Sequence, residues 1–255
     1  MDRLENIDFC IRYLMRRDGV VADIPPTLEG KQRLLRALMN VWEPQALSVE
    51  FLQAQDAELQ MQLQDKGVVN LEDIAATADT LRLWQGDITR LRADAIVNAA
   101  NSVGLGCWHP LHNCIDNAIH SAAGLQLRQE CSRVLSDSEI ATGQAIITPA
   151  YNLPARYVIH TVGPIIPDGL PTAEQEKQLA DCYRNSLELA EANGCRSIAF
   201  CCISTGEFRF PNRRAAEIAI ETVRNYEFKD KSFTLVFNVF KDIDYDIYRQ
   251  LLTKD

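Results

Sequence analysis

The sequence lacks long apolar runs. No stretch approaches the roughly 18 apolar residues that a membrane-spanning helix needs, and the first residues, Met-Asp-Arg-Leu-Glu-Asn, do not follow the basic and then apolar order of a signal peptide. Positive charge is also scarce, with 26 Lys and Arg against 35 Asp and Glu and a net charge of −9. Binding to nucleic acid or to anionic membranes needs clustered Lys and Arg, so we expect neither as a partner. We predict a cytoplasmic protein.

Several familiar motifs are missing as well. The eight cysteines do not have the spacing that small disulfide-bonded domains use, and we expect them to be reduced. No Walker lysine follows a glycine-rich loop, and the sequence contains no Gly-x-Gly-x-x-Gly. These absences argue against a P-loop enzyme, a kinase and an NAD-dependent dehydrogenase.

The pattern of apolar residues divides the 255 residues into two parts near residue 80. Before that point apolar side chains recur at helix spacing, as at Ile7, Ile11 and Leu14, and a further amphipathic helix is predicted at about residues 48–64. No residue cluster in this part suggests catalysis. We therefore predict a helical N-terminal extension, residues 1–79, that serves as a lid or a docking surface.

From residue 81 onward short β-rich runs alternate with helical stretches, as in a sheet covered by helices on both faces. The predicted strands are Leu81–Trp84, Ala95–Asn98, Ala145–Thr148, Tyr157–Thr161, Ser197–Cys202 and Thr234–Val239. The predicted helices are Ile115–Leu135, Thr172–Asn193, Arg213–Tyr226 and Tyr245–Leu252. The pattern indicates an α/β fold, an α/β/α sandwich, over residues 80–255.

Metal-ligating side chains are concentrated in one segment that follows a predicted strand. Cys107 and His112 are five positions apart and Cys114 comes two positions later, so an irregular loop can turn all three toward one ion. Thiolate and imidazole ligands suit zinc. Three protein ligands leave the fourth position that catalytic zinc sites keep open, whereas a fourth ligand, His109 or Asp116, would make the site structural.

Asp116 has two possible roles. It lies where a helix is predicted to begin, so we expect it to cap that helix, but it is also placed to orient His112 or to act as a general base. We therefore keep it among the candidate catalytic residues. His120, on the following helix, is expected to be a packing or surface residue.

Two more strand ends carry residues suited to a nucleotide. Asp87 could accept hydrogen bonds from an exocyclic amine such as that of adenine, and Ser204, Thr205 and Gly206 could surround phosphate oxygens with backbone amides. Phe208 could close over a ribose or simply pack in the core. Ligands of open α/β sheets bind at the carboxyl ends of the strands, so we expect these loops to form one site.

Three segments, in this order, resemble the macrodomain, an ADP-ribose-binding fold. They are Gly86-Asp87-Ile88-Thr89, Asp94-Ala95-Ile96-Val97-Asn98-Ala99-Ala100-Asn101 and Ser204-Thr205-Gly206-Glu207-Phe208. The run from Leu105 to Asn117 is similar, more narrowly, to the zinc-dependent macrodomains of microbes, which also carry a helical N-terminal extension. The resemblance covers about residues 80–255 and implies a three-layer α/β/α sandwich with a mixed central sheet.

The resemblance implies a hydrolase, with Zn²⁺ as its cofactor, that removes mono-ADP-ribose from O-glycosidic linkages on protein side chains. It also implies, as possible partners, a sirtuin-class ADP-ribosyltransferase system and a lipoyl-carrier protein. The alternative is a noncatalytic ADP-ribose reader with a structural zinc. A zinc-braced interaction module without nucleotide affinity is a further alternative.

Site residues can be carried over by position. The implied zinc ligands are Cys107, His112 and Cys114, and the implied catalytic set adds Asn101 and Asp116. The residues implied to bind ADP-ribose are Asp87 and Ile88 at the adenine, Asn101 at the distal ribose, and Ser204, Thr205, Gly206, Glu207 and Phe208 around the diphosphate and that ribose. Phe240, near the end of the last strand, is the expected adenine-stacking residue, with Asn238 as the alternative.

Overall fold

The structure, a computed structural model, describes residues 2–19, 21–78 and 80–253. The chain begins with helices α1 (Arg3–Asp18), α2 (Leu28–Asn40) and α3 (Val49–Lys66). Each starts where a short polar side chain, that of Asp2, Thr27 or Ser48, accepts a hydrogen bond from a backbone N–H of the first turn. The predicted helical character of this region is therefore confirmed.

These helices enclose a second apolar cluster, distinct from the main core, which Leu125 of the sandwich also joins. Its members include the fully buried side chains of Ile7, Ile11, Leu35, Trp42 and Phe51. A cluster of this size stabilises the helices by removing their apolar faces from water.

The rest of the chain alternates strands and helices. The strands are β1 (Val69–Asn70), β2 (Ala76–Ala78), β3 (Leu81–Gln85), β4 (Leu91–Arg92), β5 (Ala95–Ala99), β6 (Ala145–Pro149), β7 (Tyr157–Thr161), β8 (Ser197–Phe200) and β9 (Thr234–Val239). The helices are α4 (Ile115–Ala123), α5 (Leu125–Leu135), α6 (Ala173–Ala192), α7 (Asn212–Arg224) and α8 (Asp242–Leu252).

The described residues form a seven-stranded sheet in the order β2-β3-β9-β8-β5-β7-β6, and β1 pairs separately with β4. Strands β3, β9, β8, β5 and β7 are parallel, while β2 and β6 run antiparallel at the two edges. The predicted three-layer sandwich with a mixed central sheet is confirmed. The carboxyl ends of the parallel strands lie at one edge, where the loops after β3, β5, β8 and β9 emerge.

Some predicted boundaries need correction. The helix predicted over Ile115–Leu135 is two helices, because Gly124 adopts φ 97° and ψ 170°, which only glycine tolerates. The strand predicted to reach Cys202 ends at Phe200, and the short strand β2 was not predicted. The division after residue 79 stays a prediction, although β2, which precedes it, belongs to the main sheet.

The N-terminal helices are joined to the sandwich by a buried amide and a half-buried carboxylate on α3, those of Gln55 and Asp56. The side-chain carbonyl of Gln55 accepts a hydrogen bond from the backbone of Leu125 at 3.0 Å, which satisfies an N–H at the start of α5. Asp56 accepts hydrogen bonds from Gln126 at 2.8 Å and from Asn152 at 2.6 Å. The break at Gly124 is therefore also the place where the two parts meet.

All eight cysteines lie in the described part of the chain and are free, as expected. Within the described residues, none of the helices combines the length and the apolar character that crossing a membrane requires.

We predict that Gly124→Ala destabilises the protein more than Gly194→Ala. Gly194, at φ 67°, lies in the left-handed region, where an alanine costs about 1–2 kcal/mol, and the conformation of Gly124 costs an alanine at least as much. A Cβ at Gly124 would also lie 2.7 Å from Nε2 of Gln55 and 2.6 Å from Oε1 of Gln126, whereas among the described residues nothing lies within 4 Å of one at Gly194. Urea unfolding measures both losses, and equal losses would contradict this account.

Candidate functional site

The three predicted metal ligands are brought together. Residues 105–114, which we call the ligand loop, connect the end of β5 to α4. Cys107, His112 and Cys114 each offer one ligand atom, and these atoms lie within 4.8 Å of one another. The sulfur of Cys107 is 3.6 Å from Nδ1 of His112. A tetrahedral zinc with Zn–S about 2.3 Å and Zn–N about 2.0–2.1 Å would separate such atoms by about 3.6 Å, so the donor set fits zinc.

No fourth His, Cys, Asp or Glu of the described residues joins this group. His109 is exposed, and its ring centroid is 5.9 Å from that of His112. Asp116 is buried and directed to the sheet, where Oδ1 accepts a hydrogen bond from Asn98 at 2.7 Å. The described residues therefore bring together three candidate ligand atoms, those of Cys107, His112 and Cys114.

The expectation that Asp116 caps α4 is wrong. The cap is Cys114, whose sulfur accepts a hydrogen bond from the backbone of Asn117 at 3.4 Å. Burial raises the pKa of Cys114 to about 12, so its thiol keeps the proton at neutral pH unless a cation binds. The helix N-terminus favours the thiolate once it forms.

Asp116 belongs to a buried polar chain that reaches across the sheet. Asn98 donates to Asp116 and lies 3.1 Å from Nδ1 of His160. Nε2 of that histidine is 3.0 Å from the hydroxyl of Thr148. Burial raises the pKa of Asp116 to about 6 and lowers that of His160 to about 3. Nδ1 therefore acts as the acceptor for Asn98, and Nε2 donates to Thr148.

His120 packs directly under the ligand loop. A Cβ on Gly106, where φ is 84°, would lie 2.7 to 2.9 Å from atoms of the imidazole. The loop can therefore rest on this ring only with glycine at that position. His120 packs in the interior, which agrees with one of the two roles expected for it.

Asn101 holds the first turn of the loop after β5. Its side-chain carbonyl accepts a hydrogen bond from the backbone of Gly104 at 3.0 Å, and its amide donates to the carbonyl of Gly106 at 3.2 Å. The predicted ribose residue therefore also shapes the backbone directly before Cys107.

Asp87 lies at the end of β3 with an ionised carboxylate. Oδ1 accepts hydrogen bonds from the backbone and hydroxyl of Thr89, and Oδ2 is 3.3 Å from the ammonium of Lys66 on α3. Burial raises the pKa of Asp87, but these hydrogen bonds and the lysine charge outweigh it, and the pKa lies below its ordinary value. The neighbouring Ile88 is only 3% exposed and packs in the main core, which leaves its backbone for contact with a base.

The loop after β8 has a strained residue at its start. Ser204 has φ 65°, in the left-handed region that is unusual for serine, and its buried hydroxyl has no hydrogen-bond partner among the described residues. A Cβ on Gly163 would lie 1.9 Å from that hydroxyl oxygen, so the loops after β7 and β8 meet there. Thr205 donates to the carbonyl of Cys202, and Gly206 is exposed.

Glu207 links this loop to the ligand loop. Its carboxylate oxygen is 3.7 Å from Nε2 of His112, opposite the nitrogen that faces Cys107. Phe208 is half-buried and packs on a small apolar cluster that contains Ala100 and Val162. The loop after β8 therefore contacts both the core and the ligand loop.

The structure separates the two candidates for adenine stacking. Asn238 is buried and donates hydrogen bonds to the carbonyls of Trp84 and Gly86, so its amide fixes the turn before Asp87. Phe240 is 76% exposed at the end of β9. An exposed ring at this edge of the sheet is available to a base.

Sequence reasoning missed the residues that support the ligand loop from other elements, Arg36, Asn40, Asn117 and Arg128. Arg36, Asn40 and Arg128 lie outside the recognised motifs, and Asn117, the last residue of the run from Leu105, was not assigned a role. The available signal was weak, because it consisted only of Arg36 and Asn40 lying among the apolar residues of a predicted helix.

Residues 97–219 match the family model of the Macro domain. The chain is 47% identical to a protein-ADP-ribose hydrolase of Treponema medium, covering 99% of this chain and 100% of that protein. It is 45% identical to a protein-ADP-ribose hydrolase of Staphylococcus aureus, covering 100% of this chain and 99% of the relative. The chain belongs to the macrodomain protein-ADP-ribose hydrolase family.

Solved macrodomain structures agree with the fold. The Trypanosoma brucei macrodomain in complex with ADP-ribose is similar, with a TM-score of 0.67 at 31% identity, covering 91% of this chain and 97% of that one. The Oceanobacillus iheyensis macrodomain with ADP gives a TM-score of 0.61 at 39% identity, covering 70% and 93% respectively.

The buried His160 of this macrodomain should make its stability depend on pH. Its folded pKa of about 3 lies below the ordinary 6.5, so the unfolded chain binds a proton first as the pH falls. This histidine should therefore remove up to about 1.4 kcal/mol of unfolding free energy per pH unit between about pH 6.5 and 3. His160→Gln should flatten the urea-measured profile, while the same change at the exposed His109 is the control; an unchanged slope in His160→Gln would contradict the assignment.

Proposed function

We propose that this protein is a zinc-dependent hydrolase that removes mono-ADP-ribose from O-glycosidic linkages on protein side chains. The observation that carries the proposal is the group of three ligand atoms within 4.8 Å, without a fourth from the described residues, at the sheet edge that also bears the loop after β8. An open coordination position distinguishes catalytic from structural zinc sites. The names of the full-length relatives support the substrate class.

ADP-ribose would lie across the carboxyl ends of β9, β8 and β5. The Asp87 carboxylate would accept the adenine amine in place of Lys66, beside the backbone of Ile88, and the exposed ring of Phe240 would stack on the base. The diphosphate would bind along Ser204, Thr205 and Gly206, where the buried serine hydroxyl is free to donate to it. Asn101, Glu207 and Phe208 would surround the distal ribose.

The scissile end of the ligand would then face the ligand loop. Cys107, His112 and Cys114 would hold Zn²⁺, which when bound would either lower the pKa of a water molecule to about 7 or polarise the linkage. The Glu207 carboxylate, 3.7 Å from Nε2 of His112, would favour the ring orientation in which Nδ1 faces Cys107. Asn101 would orient the distal ribose through its amide.

Asp116 would act from beneath this site. It follows Cys114 by two residues and is tied to the sheet through Asn98, so it fixes the first turn of α4, where Cys114 lies. Its pKa of about 6 also allows it to accept and return a proton near neutral pH. Both roles are part of the proposal.

The proposal extends to partners and location. The substrate would be a mono-ADP-ribosylated protein in the cytoplasm, a sirtuin-class ADP-ribosyltransferase would attach the group, and a lipoyl-carrier protein would bear it. The alternative is a noncatalytic reader with a structural zinc. The absence of a fourth protein ligand among the described residues favours the enzyme.

We predict that the purified, reduced protein contains about one zinc per chain and that Cys107→Ala loses both the metal and hydrolysis. Hydrolysis is measured as ADP-ribose released from mono-ADP-ribosylated protein of known linkage, with and without chelator. The buried Cys195→Ala is the control, because this thiol lies outside the ligand loop and belongs to no group of metal-ligating side chains among the described residues. Release that continues after the metal has been removed would contradict zinc dependence, and release by neither form would favour the reader.

We predict that Asp87→Ala weakens the binding of ADP-ribose by about 10-fold or more, because a hydrogen bond to a charged group contributes about 1.5–3 kcal/mol. Zinc content should not change. Calorimetric titration measures the affinity, and the matched control is Asp230→Ala in the loop before β9, at the opposite edge of the sheet. Wild-type affinity in Asp87→Ala would place the adenine site elsewhere.

A further inference from the structure

Helix α2 of the N-terminal region touches the ligand loop directly. Arg36 donates through Nη2 to the carbonyl of His112 at 3.1 Å. The same guanidinium donates to Oδ1 of Asn117 from Nη2 at 2.7 Å and from Nε at 3.1 Å. Asn117 in turn donates to the carbonyl of His109 at 2.9 Å. Arg36 therefore holds the ligand loop at two points. It contacts His112 directly, and it contacts His109 through the side-chain amide of Asn117.

Asn40, at the end of α2, makes a second connection. It is 2% exposed, and its side-chain carbonyl accepts a hydrogen bond from the backbone of Leu111 at 2.9 Å. Leu111 has φ 60°, an unfavourable conformation for leucine. The side-chain amide of Asn40 also donates to the hydroxyl of Ser121 on α4 at 3.0 Å. The residue before His112 is therefore held in a strained conformation by a side chain from the N-terminal region.

The position of α2 itself is fixed by Arg128 of α5. Nη1 of this buried arginine donates to the carbonyls of Met39 at 3.1 Å, Asn40 at 3.0 Å and Trp42 at 2.6 Å. Nε donates to the carbonyl of Leu105, the first residue of the ligand loop, at 2.7 Å. The end of α2 and the start of the loop are thus bound to the same guanidinium.

A metal site needs its ligands in place before the ion arrives, because the cost of ordering them reduces the affinity. The ligand loop contains no helix or strand and passes through positive φ at Gly106 and Leu111. We infer that helix α2 is part of the metal site, and that Arg36 and Asn40 position the ligand loop for zinc. This inference rests on the proposed function, and it gives the N-terminal helices a role different from the expected lid or docking surface.

The test uses the full-length protein and the variants Arg36→Ala, Arg36→Lys and Asn40→Ala. Arg33→Ala is the matched control, since Arg33 is an exposed arginine on the same helix. Zinc affinity is measured by competition with a chromophoric chelator, and ligand geometry by the visible absorption of the Co²⁺-substituted protein. Hydrogen exchange of the Leu111 amide in metal-free protein reports the loop alone, and circular dichroism reports the fold.

Arg36→Ala and Asn40→Ala should lower zinc affinity by about 10- to 100-fold, the usual effect of removing a group that supports metal ligands. They should also change the Co²⁺ spectrum, which a general loss of stability would not. Arg36→Lys should recover part of the affinity, because an ammonium can still donate one hydrogen bond. Arg33→Ala should match wild type.

The inference and the proposed function fail in different ways. Wild-type zinc affinity and an unchanged Co²⁺ spectrum in both alanine variants would overturn the inference. A wild-type protein that binds neither metal would overturn the zinc part of the proposed function. In that case unchanged protection of the Leu111 amide in Asn40→Ala would also overturn the positioning role, and lost protection would support it.

Discussion

The candidate site depends on one buried guanidinium, that of Arg128. Its N–H groups donate to backbone carbonyls at the end of α2 and at the start of the ligand loop. Burial lowers its pKa to about 10, so it stays charged at neutral pH. The Cζ atom of this guanidinium lies over the Trp108 ring, 4.2 Å from the ring centre. Replacing this arginine would leave carbonyls unsatisfied both at the end of α2 and at the start of the ligand loop. The ligand loop has no regular hydrogen bonding that could compensate for this loss.

The second constraint is the parallel order of the central strands. Because β3, β9, β8, β5 and β7 point the same way, their following loops share one edge, and close packing between those loops then decides the shape of the cleft. Gly163 permits the approach of Ser204, and the strained serine presents a buried hydroxyl without a partner among the described residues. Strain of this kind persists only where the surrounding structure enforces it. The geometry suits an anionic ligand that would supply the missing acceptor.

Much of this could be predicted from the sequence, and the exceptions have physical reasons. Spacing predicted that Cys107, His112 and Cys114 meet, because an irregular loop of this length can close on one ion. The cap of α4 was missed because carboxylates are the commoner caps, whereas here Asp116 is buried against Asn98 and a thiol takes its place. The break at Gly124 was missed because glycine permits a positive φ but does not require one, so the residue type alone does not predict where the helix ends. The contacts of Arg36 could not be predicted, because they join residues 76 and 81 positions apart through tertiary packing.

The N-terminal helices contact both ends of the cleft. They therefore connect the ligand loop, which Arg128 holds, with the edge of the sheet that the parallel strands form. Arg36 on α2 holds the ligand loop, while Lys66 in the last turn of α3 lies 3.3 Å from the Asp87 carboxylate, at the proposed adenine end. Glu207 spans the remaining gap, between the loop after β8 and His112. A movement of the helices relative to the sheet would therefore disturb the candidate metal ligands and the carboxylate proposed to bind adenine together. The hydrogen bonds of the Gln55 amide and the Asp56 carboxylate oppose that movement, so the attachment of the N-terminal region helps to set the distance between Asp87 and the candidate metal ligands.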